Sequence, residues 1–183
     1  IMLMVALLAA GFFVSSVLRL RSEERASRVS PMLATPVSRR NWLWSHPTVA
    51  LVGGTGVMLA GGLLTGLGYA ASVGDWGEIL PLIGAAVAWL PALFVIAAIP
   101  VALVGVAPRL APFAWAGVAY AALVGLLGRT LDMPQWMRDL SPFEHTPQLP
   151  AADFDIVPIV IMLGVAVALI AVGTVGIRRR DLD

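Results

Sequence analysis

Five stretches of this chain carry no charged residue and no histidine: Ile1–Leu18, Thr48–Val73, Ile79–Val106, Leu110–Gly128 and Ile156–Ile177. A helix rises about 1.5 Å per residue, so about 20 residues cross the ~30 Å hydrocarbon core of a bilayer and about 17 suffice. Lipid offers backbone groups no hydrogen-bond partner, so only a helix or a closed barrel can span it. The expectation is an all-α polytopic membrane protein. A single transmembrane domain covers 1–183, with spans at about 1–18, 47–73, 79–106, 110–128 and 156–177. Hydrophobic residues make up 59% of the chain and charged ones 13%, which excludes a soluble globular domain.

The charges that remain are sorted between the loops. All 12 basic residues are arginine. Arg19, Arg21, Arg25, Arg28, Arg39 and Arg40 lie between the first two spans, Arg109 between the third and fourth, and Arg178, Arg179 and Arg180 after the fifth. The alternate loops hold only Arg129 and Arg138, together with Asp75, Glu78, Asp132, Asp139, Glu144, Asp153 and Asp155. Positive charge is retained in the cytoplasm during insertion, which predicts a cytoplasmic loop at 19–46, a cytoplasmic C-terminus and an outer loop at 129–155. The N-terminal end then lies outside. An odd number of spans beginning outside, at an Ile1 already within an apolar run, further predicts an upstream crossing and a C-terminal piece of a longer protein. Absent lysine beside abundant Ala, Gly, Val and Arg suggests a GC-rich bacterial genome, hence a bacterial inner membrane.

Within the second span, Gly62 and Gly66 form a small-xxx-small pair, extended by Ala70, that admits a neighbouring helix closely. This serves either ordinary packing or a dimer interface. The third span contains Pro91 and Pro100 and would be about 42 Å long if straight, so it is expected to tilt or kink. In the inner loop, Ser22 can cap a short helix beginning with Glu23 and Glu24. Ser30-Pro31 restarts a turn, Thr35-Pro36 ends it, and Ser38 caps the next span. Arg39, Arg40, Trp42 and Trp44 form an interfacial belt. In the outer loop, Met133, Trp136, Met137 and Leu140 recur at helical spacing, with Asp132 as a possible cap. That pattern predicts a short amphipathic helix lying in the interface or dipping toward the bundle.

Missing chemistry narrows the function. A phosphate-binding P-loop requires lysine, and the chain has none. His46 and His145 stand alone on opposite faces, so no metal site is expected. Ion-coupled transporters usually place Asp, Glu or His inside their spans, and none occurs here. Energy for moving a solute would then enter through a soluble partner at the inner face. An uncharged interior suits a hydrophobic cargo. Phe12 and Phe13 on the first span, with Phe113 and Trp115 on the fourth, either contact that cargo or serve as lipid-facing and packing aromatics.

The inner-loop run Glu23-Glu24-Arg25-Ala26-Ser27-Arg28, continuing into Leu33-Ala34-Thr35-Pro36-Val37-Ser38-Arg39, resembles the signature loop of the type-2 ABC exporter permeases. Ser141-Pro142-Phe143-Glu144-His145-Thr146-Pro147-Gln148-Leu149-Pro150, a last span and Arg178-Arg179-Arg180-Asp181-Leu182 extend the resemblance to the polyketide-antibiotic exporters, the tetronasin-transport permeases. It covers essentially the whole chain, as five of the six spans of a permease half. The resemblance implies a coupling helix after the first span, with Glu23, Glu24, Arg25 and Arg28 contacting a separate ATP-binding subunit. It also implies re-entrant helices in the outer loop and an export path lined by the first and fourth spans. On this reading the chain is not an enzyme and holds no cofactor. ATP and Mg belong to the partner ATPase, and the other permease half completes the pore. Its cargo would be an amphiphilic drug, antibiotic or lipid. The rival readings are an ion-coupled carrier and a non-transporting membrane scaffold or sensor subunit.

Overall fold

The computed structural model describes residues 1–25, 39–147, 149 and 155–179. The described residues are almost entirely helical, and five helical segments are long and apolar enough to cross a membrane. The first is α1 (Met2–Arg25), and the second is α2 (Arg39–Val73). The third span runs over Trp76–Val106 as a 3-10 turn (Trp76–Glu78), α3 (Ile79–Ala88) and α4 (Leu90–Val106). The fourth joins a 3-10 turn (Pro108–Phe113) to α5 (Ala114–Leu127). A one-turn helix α6 (Gln135–Arg138) and a 3-10 turn (Pro142–His145) follow, and α7 (Ile156–Arg179) is the last span. The expected turns at Ser30-Pro31 and Thr35-Pro36 and the cap at Ser38 lie outside the described residues. Of Arg39, Arg40, Trp42 and Trp44 only the helical backbone is described.

Lipid is as apolar as leucine, so helices in a bilayer are held by close packing and not by escape from water. Glycines on two faces of α2 supply that closeness. On one face Phe12 and Val5 of α1 fill the space left by Gly53 and Gly61: a methyl built on either glycine would lie 2.9 or 2.6 Å from those side chains. On the other face Gly62 lies against Ala86, where an added methyl would come within 2.6 Å of the Ala86 Cβ, and Gly66 lies against the Ile79 backbone at 3.1 Å. Ala70 is fully enclosed. The Gly62–Gly66 pair therefore serves packing within one chain. Tight reversal from α2 into the third span uses Gly74 at φ +80, which closes α2, and Asp75, whose Oδ1 accepts the Gly77 N–H at 2.9 Å.

Proline shapes the third and fourth spans. Pro91 brings no N–H and its ring crowds the carbonyl of Val87, so the ladder stops. The Trp89 N–H turns to Ala86 O at 3.2 Å, and α4 restarts with the Leu93 N–H on Trp89 O at 3.1 Å. The expected kink is thus a break at Trp89, whereas Pro100 lies inside α4 without ending it. Pro108 and Pro112 keep the start of the fourth span in 3-10 geometry, leaving 14 residues of α-helix in α5. At about 2 Å per 3-10 residue and 1.5 Å per α residue the whole still reaches about 33 Å.

α4 is the centre of the bundle. Twelve of its residues are buried, Leu93 and Ile96 among them, and they pack with Ala6, Ala9, Ala10 and Val14 of α1. Phe13 and Val17 form a second cluster with Ala97, Val101 and Val104. α7 runs parallel to α4 and meets it backbone to backbone: Gly173 faces Val101 O, Gly105 faces Gly173 O, and Gly176 faces Gly105 O. The hydroxyls of Ser15, Thr65 and Thr174 each donate to a carbonyl four residues back at 2.7–2.8 Å, which removes them from the lipid.

A methyl on Gly173 would lie 2.5 Å from the Val101 carbonyl oxygen, so Gly173→Ala should force α7 off α4. Overpacking of this kind typically costs about 1–3 kcal/mol. Gly68→Ala, where nothing lies within 4 Å, should be silent. Monodisperse yield after detergent extraction is the readout, and equal yields for the two variants would refute the crossing.

Candidate functional site

Glu23, Glu24 and Arg25 occupy the last turn of α1. Their side chains, and Arg28 altogether, lie outside the described residues. Ser22 does not begin a new helix. No Pro or Gly interrupts Leu18 to Arg25, so α1 continues through it.

The four aromatic residues singled out on the first and fourth spans do not share one surface. Phe13 is 3% exposed and sits in the cluster around Ala97 and Val101. Phe12 packs on Gly53 of α2. Trp115 lies over Gly11 of α1, its ring 3.5 Å from where a methyl there would be. Phe113 is exposed at the start of α5. With Leu3 against Gly125 at the other end, α1 and α5 touch along much of their length.

Polar chemistry within the bundle gathers elsewhere, in the segment after α5. Gly128 to Asp132 turns the chain, and Asp132 sits at φ 47. α6 has only one turn because Pro134 starts it and Pro142 follows closely; Pro134 is its N-cap, so Asp132 is not. Trp136 and Leu140 of the expected apolar stripe are exposed on the protein surface. The chain then turns inward. Its 3-10 turn, Pro142–His145, packs against α4, α5 and α7 together. Phe143 is buried and its ring lies 5.7 Å from that of Trp89, at the break in the third span. The Tyr120 hydroxyl donates to Met137 O at 2.6 Å. Trp89 is ten residues beyond the start of α3 and Tyr120 seven residues before the end of α5. By the helical rise these anchors lie about 10–15 Å inside the bundle.

Charge and hydrogen bonding in this segment are incompletely matched. Arg138 Nε stands 3.9 Å from Glu144 Oε2, beyond hydrogen-bond reach, while its Nη2 donates to Gln135 Oε1 at 2.8 Å. His145 Nδ1 is 3.2 Å from Ser141 O. The hydroxyls of Ser141 and Thr146 are buried with no partner. None of Trp89, Tyr120 or Phe143 was distinguishable in the sequence, because their partners lie 17 or more residues away. The local hint of an inward turn was the apolar spacing of Met133, Trp136, Met137 and Leu140. Among the described residues no group of three His, Asp or Glu could hold a metal ion. An open groove of about 460 Å³ lies beside Ile1 and α2, lined by Leu64, Thr65, Gly68, Tyr69 and Ser72. Its Thr65 and Ser72 hydroxyls bond to their own helix, so its walls are apolar.

The sequence that builds these spans is matched in known proteins. A family model described as the C-terminal domain of the multidrug efflux system permease Rv1217c covers residues 1–178. The chain belongs to this family. The multidrug efflux system permease protein Rv1217c of Mycobacterium tuberculosis (strain ATCC 25618 / H37Rv) is 41% identical over 180 residues, 98% of this chain. Those residues span 33% of that relative's length. As a domain of this family, the chain is a multi-pass membrane protein, and its five candidate spans take up more than half of its length.

Phe13→Ala should open a cavity worth about 2 kcal/mol, since in lipid the packing loss dominates. It should lower folded yield, whereas Phe113→Ala should not. The same thermal profile for both in detergent would contradict the buried placement of Phe13.

Proposed function

We propose that this domain is the C-terminal membrane part of an ATP-driven exporter permease of the type-2 ABC class, close to the polyketide-antibiotic exporters. It moves a hydrophobic or amphiphilic drug, antibiotic or lipid across a bacterial inner membrane. The observation that carries this reading is the match to the efflux permease family over residues 1–178. The uncharged spans agree with it, because they offer a coupling ion no partner. Hydrolysis is assigned to separate ATPase subunits that hold ATP and Mg, and the other permease half completes the path. The domain itself is not an enzyme.

The arginine-rich side is assigned to the cytoplasm. α1 continues six residues beyond Arg19, about 9 Å by the helical rise, and carries Glu23, Glu24 and Arg25 past the apolar run. We assign these residues and Arg28 to the contact with the ATPase. Charge-assisted contacts at a partly buried interface contribute about 1.5–3 kcal/mol each.

Acidic residues contribute little to insertion, so replacing Glu23 and Glu24 by Ala in the full permease should leave membrane insertion intact. ATPase association should fall at least about tenfold, and cargo-stimulated hydrolysis should disappear. Wild-type export with the ATPase still bound would remove the coupling assignment. For orientation, single cysteines at Ser27 and at exposed Asp132 should react with an impermeant maleimide from opposite sides of intact cells. Reaction of both from outside would reverse it.

A further inference from the structure

We propose that the corner where α1, α4 and α7 end, closed by the 3-10 turn Pro108–Phe113, is a binding site for the phosphate headgroup of an anionic phospholipid, with Arg109 as its main contact. The site requires only that the chain spans a bilayer and does not rest on the export reading above.

Packing brings arginines from three helix ends to one place. Val17 of α1, Val104 of α4 and Ala111 of the turn are buried together. Arg19 stands two residues beyond Val17, and Arg109 two residues before Ala111. α7 joins them: a methyl on Gly176 would lie 2.6 Å from Gly105 O and 3.2 Å from Val106 N. Arg178 and Arg179 follow in the last turn of α7, and Arg109 is three residues past Val106. The C-terminal end of α4 is thus bordered by arginines. Every acidic side chain described belongs to the loops at the opposite face. Glu23 and Glu24 come at least four residues after Arg19 on α1, about 6 Å farther out by the helical rise.

Depth singles out Arg109. Only Ala107 and Pro108 separate it from α4, and the uncharged run Leu110–Gly128 begins beside it. It can neither sink into the hydrocarbon nor stand clear of the membrane, so its guanidinium lies at headgroup level. It is exposed, and among the described residues the guanidinium has no hydrogen bond or ion pair. Leu110 and Phe113, three apart and so on one side of a 3-10 turn, are 50% and 67% exposed next to it. A cation held at fixed depth and edged by bare apolar surface fits a ligand with an anionic head and apolar tails. A planar guanidinium also grips two phosphate oxygens at once. An acidic protein surface or a free phosphate would match the charge and leave Leu110 and Phe113 uncovered.

The test uses the full permease in detergent, incubated with mixed micelles of phosphatidylglycerol and phosphatidylcholine in equal amounts. Lipid retained through washing is counted by native mass spectrometry. The wild type should retain phosphatidylglycerol at least about tenfold better, as one charge-assisted contact allows. Arg109→Gln should abolish that preference, and Arg109→Lys, which keeps the charge and loses the fork, should restore part of it. Arg129→Gln, at an exposed arginine of the opposite face, should leave it unchanged. Equal retention of the two lipids by the wild type would overturn the site whatever the variants do, so the result stands even if Arg109→Gln fails to fold. A preference that survives Arg109→Gln, or falls as far with Arg129→Gln, would also overturn it, leaving only the general attraction of a basic surface. Displacement of the bound lipid by excess inorganic phosphate would overturn the choice of a lipid over a free anion.

Discussion

The backbone contact between α4 and α7 is the interaction on which the rest of this bundle depends. In a bilayer an apolar side chain gains nothing by exchanging lipid for another side chain unless the new contact is denser. Gly105, Gly173 and Gly176 make it denser by removing the side chains altogether, so that carbonyls of one helix lie against the α-carbons of the other. α4 is thereby held at the centre, where Leu93, Ile96, Val101 and Val104 meet α1. The opposite face of α7, with Val160, Ile161, Val167 and Val172, remains exposed. Alanine plays the same part on α1: Ala6, Ala9 and Ala10 are completely enclosed because they take so little room.

Polar groups are placed under the same constraint. Most hydroxyls in the spans are disposed of locally, by bonding to the preceding turn. The 141–146 segment is where that arrangement fails, and it is also the place where an irregular backbone enters the bundle. Irregular backbone at membrane depth is tolerated only where protein or a water-filled cavity encloses it. Here α4, α5 and α7 do so.

Much of this was legible in the order of residues. Uncharged runs marked five spans because a single charge in lipid is costly enough to leave a clear gap in the sequence. The Gly62–Gly66 pair declared a packing face, and Pro91 and Pro100 declared a tilt or kink in the third span, since all act through their own backbone; only Pro91 breaks the helix. The contacts that hold the 141–146 segment against α4, α5 and α7 were not legible. Tyr120 reaching Met137 and Phe143 reaching Trp89 depend on how helices are arranged in space, and nothing local to either residue marks it out among the chain's aromatics. Pairing of Gly105 with Gly173 is hidden for the same reason. At Ser22 the local signal misled, because a capping residue also tolerates a helix interior when no breaker precedes it. The spacing of Met133, Trp136, Met137 and Leu140 did mark a short helix, which the prolines limit to the one turn of α6. Phe12, Phe13, Phe113 and Trp115 were correctly placed on spans, but their faces diverge once α1 is packed between α2 and α5.

The break at Trp89 divides the third span between two allegiances. α3 is fastened along α2 through Gly62 and Gly66, whereas α4 is fastened to α7 through Gly105. A single residue joins these two bodies, and no continuous hydrogen-bond ladder crosses it. By hydropathy the span is one rod; by packing it is two, each half answering to a different neighbour.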